Sequence, residues 1–149
     1  MKLKRRPLTR QTAVAVILIA AAVLALLVVV RTRGGVLSAH YNVTTAQGRA
    51  DYLAALGWEI DLQTEEAQHV TLPRTFDGVF RAYNDLQRKQ GFDLRPYAGL
   101  ECTVYSYLVT NYESDGPVLA VVYLCRNRII AGDIHSTDFG GFMHGIRRD

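Results

Sequence analysis

Eighteen consecutive residues, AVAVILIAAAVLALLVVV from Ala13 to Val30, carry no polar side chain. As a helix rising about 1.5 Å per residue, such a run spans roughly 27 Å, close to the hydrocarbon thickness of a bilayer. A helix buried in a small domain would show a polar face, and the apolar part of a signal peptide is about 7–15 residues long. The run therefore predicts an uncleaved transmembrane helix over residues 12–31. The competing reading is a cleaved signal peptide. Ala39 offers a small residue for cleavage, but it lies well past the apolar run, and Leu37 is a poor minus-three partner.

Charge orients the span. Lys2, Lys4, Arg5, Arg6 and Arg10 precede it, and only Arg31 and Arg33 follow. The positive-inside rule predicts a basic cytoplasmic tail at 1–11, a linker at 32–42 and a folded extracellular domain at 43–149, in a single-pass protein of the cell membrane. The lipid bilayer is then its first partner, and the basic tail belongs to the anionic inner leaflet. The formal net charge of +3 conceals a sharp asymmetry. After Gly34, ten Lys and Arg stand against fourteen Asp and Glu, a net charge of −4. With no basic face to neutralise phosphates, nucleic acid is not an expected partner.

Within the outer part, Thr44 and Gln47 have capping-box spacing, and Ala46, Ala50, Leu53 and Leu56 follow at helical spacing. Gly57 and Trp58 read as a Schellman stop. Trp58 to Gln63 alternates like a half-buried strand, Glu65-Glu66 reads as an acidic turn, and His69 to Leu72 as a second short strand before Pro73. A second helix is predicted from Thr75, its N-cap, to Gln90, with Phe76, Val79, Phe80, Tyr83 and Leu86 as the buried stripe and Gly91 as its stop. Strands are predicted at 102–111, 118–125 and 128–135, with a tight turn at Arg126-Asn127. The fold class expected is α+β: a small antiparallel sheet of about four or five strands with two helices packed on one face.

Cys102 and Cys125 fall on neighbouring predicted strands. A hairpin symmetric about its loop would pair Cys102 with residue 126 or 127, so a disulfide needs a small register shift. Two buried thiols are the equal alternative.

Chemistry-bearing residues are sparse. Asp133, His135, Asp138 and His144 are potential metal ligands, but their spacing matches no compact motif. No nucleophile elbow or phosphate-cradling glycine loop is present, so no catalytic residue is assigned and no cofactor is expected. Tyr105 and Tyr107 share a strand side and, with Asn111, could form a stacking face; packing under a helix is the plainer account. In YNDLQRKQGFDLRPYAGLE, from Tyr83 to Glu101, a helix end and a turn explain all but Asn84, Gln87, Asp93 and Tyr97.

RADYLAALGWEI, YNDLQRKQGFDLRPYAG, AGDIHSTDFGGFMHG and the Leu-Pro pair before the second helix resemble an uncharacterised family of membrane-anchored domains from clostridial Firmicutes. This chain has Ala131-Gly132 where that family carries two glycines before the aspartate. The resemblance implies an anchored domain of unknown function, supplies no catalytic residues, and places Asn84, Gln87, Asp93 and Asp133 in the domain's pattern. The function expected is a non-enzymatic binding module of the bacterial cell envelope. Its partner would be another envelope protein or a wall-derived ligand, met around Asn84, Gln87, Asp93, Tyr97 and Asp133. The alternatives are an envelope hydrolase or metal-dependent enzyme using Asp133, His135 and His144, and a plain spacer.

Overall fold

In the computed structural model, which describes residues 40–147, the first helix starts one residue later than its capping box predicts. Helix α1 is Ala46–Ala55, and Thr45 is its N-cap, its hydroxyl accepting from the Gly48 amide at 3.1 Å. Gln47 bonds Asp51 instead of reaching back, so the cap is not the reciprocal box. Gly48 is required there: a Cβ would lie 1.9 Å from the Asn42 carbonyl oxygen. The predicted stop is present, with Gly57 in the left-handed region and the Trp58 amide bonding the Leu53 carbonyl at 3.0 Å. The predicted tail and membrane span lie outside the described residues; among those described, no helix is long and apolar enough to cross a membrane.

Strand β1 is Ile60–Thr71, a single strand where two were expected. Glu65-Glu66 does not turn the chain. It belongs to a bulge, because Asp61 pairs with Leu108 while Glu66 already pairs with Ser106. Thr64 stabilises the excursion, donating to the Asp61 carbonyl and accepting from the Leu108 amide. Glu65 is thereby turned inward onto Arg49.

Helix α2 is Gly78–Lys89, three residues shorter at its start than predicted. Asp77, not Thr75, is the N-cap, and it makes no side-chain capping bond. The helix ends as expected at Gly91, with the Phe92 amide bonding the Gln87 carbonyl. A short 3₁₀ turn, Arg95–Tyr97, leads into β2 (Glu101–Val109), β3 (Val118–Cys125), β4 (Arg128–Ser136) and the unforeseen β5 (Met143–Gly145). Arg126 and Asn127, both at positive φ, make the tight hairpin turn between β3 and β4. All neighbours are antiparallel, and the five strands run in sequence order across one sheet.

Cross-strand partners share a face, so register assigns the helices to sides. Tyr107 is opposite Ala120, and this face carries Tyr105, Val118 and Val122 as well. Helix α1 packs here through Arg49, Tyr52 and Leu53. Val121 is opposite Asp133, which places Tyr123, Asp133 and His135 on the other face. Helix α2 lies beside β5 and turns Tyr83 to that second face. The two helices therefore do not share one side, contrary to expectation.

The reason is the brevity of β5. Its last pair is Asp133 with Gly145, which leaves Gly132 without a strand on that edge. Gln87 takes the place of the missing peptide: its Oε1 accepts from the Gly132 amide and its Nε2 donates to the Gly132 carbonyl, both at 3.0 Å. Gln90 donates to the same carbonyl at 2.7 Å. An unpaired backbone group in the interior would otherwise cost about 1–3 kcal/mol.

Apolar side chains gather in two clusters, one centred on Tyr52, Trp58, Tyr107 and Ile134, the other on Leu72, Leu94, Cys102 and Cys125. The ladder pairs Thr103 with Leu124, so the cysteines face each other directly and no register shift is needed. Both are free buried thiols; burial, then contact with Cys125, pushes the Cys102 thiol up to about 12.

Candidate functional site

Helix α2 keeps only part of its expected apolar stripe inside, with Phe76 and Tyr83 packed against the second cluster. Its buried residues are Asn84 and Gln87, whereas Val79 is 84 % exposed and Phe80 40 %. The amides turn inward because they satisfy backbone that nothing else reaches. Besides the Gly132 clamp, Asn84 accepts from the Leu94 amide at 2.7 Å and donates to Asp93 at 3.1 Å. Asp93 is in turn bound by Arg95 through its guanidinium and its amide. The Arg95 side chain above all holds the Asp93 carboxyl well below the usual carboxylate range. Tyr97 packs at the margin of the second cluster. Asn84, Gln87 and Asp93, expected as a binding surface, are thus occupied in fixing a helix to a sheet edge and to the following turn. Tyr105 and Tyr107 are likewise packed: Tyr107 is fully buried and the Arg49 guanidinium sits 3.6 Å over the Tyr105 ring.

Asp93 and Tyr97 line a small opening of about 140 Å³, and Asp133 lies in a larger groove. Val79, Phe80 and Tyr83 of α2 face Val121, Tyr123, Asp133, His135 and Met143 across an opening of about 430 Å³. Asp133 is only 2 % exposed; it binds His135 Nδ1 at 2.7 Å through one oxygen and accepts from the Tyr83 hydroxyl at 2.6 Å through the other. Burial, reinforced by that carboxylate, pushes the Tyr83 hydroxyl well above its ordinary range, which keeps it a donor. The hydrogen bond to Asp133 raises the His135 pKa against the opposing effect of burial. A histidine raised on folding contributes stability that is complete below its ordinary value near 6.5 and is lost as pH rises through the folded value. Urea midpoints should therefore fall as pH rises from about 6 to 9, and His135→Gln should remove that component of the slope.

His144 does not join this pair. It lies opposite Ile134, on the other face, with Nδ1 donating to the Gly145 carbonyl at 2.8 Å and Nε2 facing the Tyr112 hydroxyl at 3.2 Å. A neutral imidazole donating through Nδ1 must accept at Nε2, so Tyr112 is the donor there. Asp138 is bonded to Ser136. The set Asp133, His135 and His144 is not assembled, and among the described residues no group of three His, Cys, Asp or Glu side chains could hold a metal. Nor, among them, does a hydroxyl or thiol hydrogen-bond to His135, whose partner is Asp133.

A second opening, of about 660 Å³, lies along β5 and the C-terminal half of α2. Sequence reasoning missed it, because its parts are distant: Trp58 after α1, Tyr112 in the β2–β3 loop, Gln90, His144 and Arg147. The one local signal was the Gly-Trp pair, read only as a helix stop.

A five-stranded antiparallel meander, one helix on a face and one along its short edge, defines a small α+β domain with a groove on either side of α2. The chain belongs to the family described as a domain of unknown function, DUF4830, whose pattern matches residues 52–134, from α1 to Ile134 of β4. No curated protein and no solved structure matches it.

Proposed function

We propose that the chain is a membrane-tethered interaction module of the cell envelope, with a cytoplasmic tail, one span, and an outer domain that docks an apolar segment of another envelope protein. The observation that carries this reading is the clustering of exposed apolar side chains. Val79, Phe80 and Met143, the last 52 % exposed, surround the groove over Asp133. Contiguous exposed apolar surface rimmed by polar groups marks association sites in folded proteins. An amphipathic or extended segment with one basic flank fits best, because the apolar rim would take its hydrophobic side chains while a domain of net charge −4 attracts its cation.

The test uses the full chain in cells. A photo-cross-linking residue at Val79 should give a discrete adduct with one envelope protein, absent when the same residue replaces Gln68, exposed on β1, and lost on Phe80→Asp. Equal labelling at both positions would defeat the assignment. Membrane topology is tested separately by Ser114→Cys in the exposed β2–β3 loop. A membrane-impermeant thiol reagent should label it in intact cells, and labelling only after permeabilisation would place the domain on the other side.

A further inference from the structure

We propose that the second groove binds a free carboxylate flanked by an amide N–H, the chemistry of a peptide C-terminus. Arg147 would hold the carboxylate, Gln90 the N–H, and Tyr112 and His144 the terminal side chain.

The inference starts from polar atoms that the fold leaves unmatched. The Nε and one terminal nitrogen of Arg147 are buried without a hydrogen-bond partner, as is Oε1 of Gln90, a residue only 8 % exposed. Both residues line the groove. Native interiors pair nearly all such atoms, so these three, on two residues of one groove, call for an explanation, as does the Tyr52 hydroxyl in the core that feels the Arg147 charge. The two donors on one edge of a guanidinium match the two oxygens of a carboxylate. The unmatched acceptor on Gln90 requires a donor on the same ligand. A phosphomonoester dianion offers none, whereas the last residue of a peptide presents a carboxylate and an amide N–H side by side.

Charge and shape agree with this assignment. Lys89 and Arg147 outnumber Glu113 at the groove, a local excess of positive charge in a domain whose balance is −4. The same guanidinium opposes the burial that pushes the Tyr52 hydroxyl up to about 12. Tyr112 stacks on Trp58 at 16° and on His144 at 26°, and Phe142 stacks on Tyr112 at 15° with centroids 4.9 Å apart. These rings form a rigid flat wall beside the polar contacts. The volume suits a ligand of two or three residues, within the roughly 300–1,000 Å³ usual for small-molecule sites.

Thermal unfolding of the full chain in detergent, with N-acetyl-alanyl-alanine as the free acid and as the C-terminal amide, tests the proposal. The acid should raise the midpoint progressively with concentration, and the amide should bind at least about tenfold more weakly, having lost a charge-assisted pair. The L,L and D,D forms distinguish a protein C-terminus from a wall peptide; binding of either supports the site. Arg147→Met should leave the ligand-free midpoint unchanged or higher, since it removes unmatched buried donors, while abolishing the ligand-induced shift. Arg147→Lys, which keeps the charge and loses the fork, should lose most of it. Phe80→Asp, on the other side of α2, should bind as the parent does. Equal binding of acid and amide, no shift with any of these probes, or a lower ligand-free midpoint in Arg147→Met would each overturn the assignment.

Discussion

Arg49→Met should lower the free energy of unfolding by about 3–5 kcal/mol, the usual consequence of removing one partner of a buried ion pair. For a domain of this size the thermal midpoint should drop by on the order of 10 °C or more. Arg49 is 3 % exposed and gives every face of its guanidinium a task. Nε donates to the Tyr107 hydroxyl at 2.6 Å, one terminal nitrogen to the Val43 carbonyl at 3.1 Å, and the other to Glu65 at 2.7 Å. The Tyr107 hydroxyl also donates to Glu65, and the Tyr105 ring lies beneath the cation. Methionine fills much of the volume and answers none of these groups, so the Val43 carbonyl and the Tyr107 oxygen lose the Arg49 donor and Glu65 keeps only Tyr107. Lysine keeps the charge but not the planar fork, and Arg49→Lys should recover less than half of the loss. A pH series gives an independent readout. Burial would raise the Glu65 carboxyl, but hydrogen bonds from Tyr107 and Arg49 outweigh it and lower the pKa. The associated stability is present above the unfolded value and is lost as pH falls. Arg49→Met should therefore be less sensitive to acid than the parent. A variant as stable as the parent, or equally acid-sensitive, would show that the cluster contributes nothing net.

Gln87→Leu should cost about 2–4 kcal/mol in urea unfolding, with the shape preserved and the hydrogen bonds gone. The Gly132 amide would be left with no partner, while its carbonyl would keep the bond from Gln90. The substitution also reports on architecture, since this clamp fixes α2 against the edge beyond β5. Hydrogen exchange at Gly132 should accelerate in the variant far more than at Ala120 in the middle of β3. Gly132 itself tolerates no larger residue without displacement: a Cβ would lie 2.8 Å from Ile146 Cδ1 and 2.9 Å from the Val121 carbonyl oxygen. Unchanged exchange at Gly132 would mean that the edge is held by something other than the glutamine.

These two sites mark the boundary of what local sequence chemistry could reveal. Helix stops at Gly57 and Gly91, the turn at Arg126-Asn127 and the span of β3 were all legible, because each is decided by a few adjacent residues. The missed features depend on distant partners. Nothing near Arg49 announces a carboxylate sixteen residues on, folded back by a bulge. The apolar stripe of α2 was right for Phe76 and Tyr83, which pack inward, and wrong for Val79 and Phe80, which rim a groove because Asn84 and Gln87 have backbone to satisfy. Asn84, Gln87 and Asp93 stood out in the sequence as polar residues without a local task; Gln87 binds Gly132 forty-five residues on, whereas Asp93 bonds Asn84 and, two residues away, Arg95. Asp133 and His135 share a face of β4 and meet there; His144 is separated from them by the alternation of β5, a strand too short to recognise.

The two margins of the sheet are finished differently. On the β5 side, glutamine amides and a helix occupy exposed backbone; on the β1 side, the twelve-residue rim strand has no further strand beyond it among the described residues. That outer margin is interrupted by the bulge between Asp61 and Glu66 and carries exposed Gln63, Glu66, Gln68 and His69. Bulges and charges on a rim strand discourage a second copy from adding its own strand. Strand addition of that kind would propagate from copy to copy. An irregular, polar margin offers such a copy no matching edge to extend.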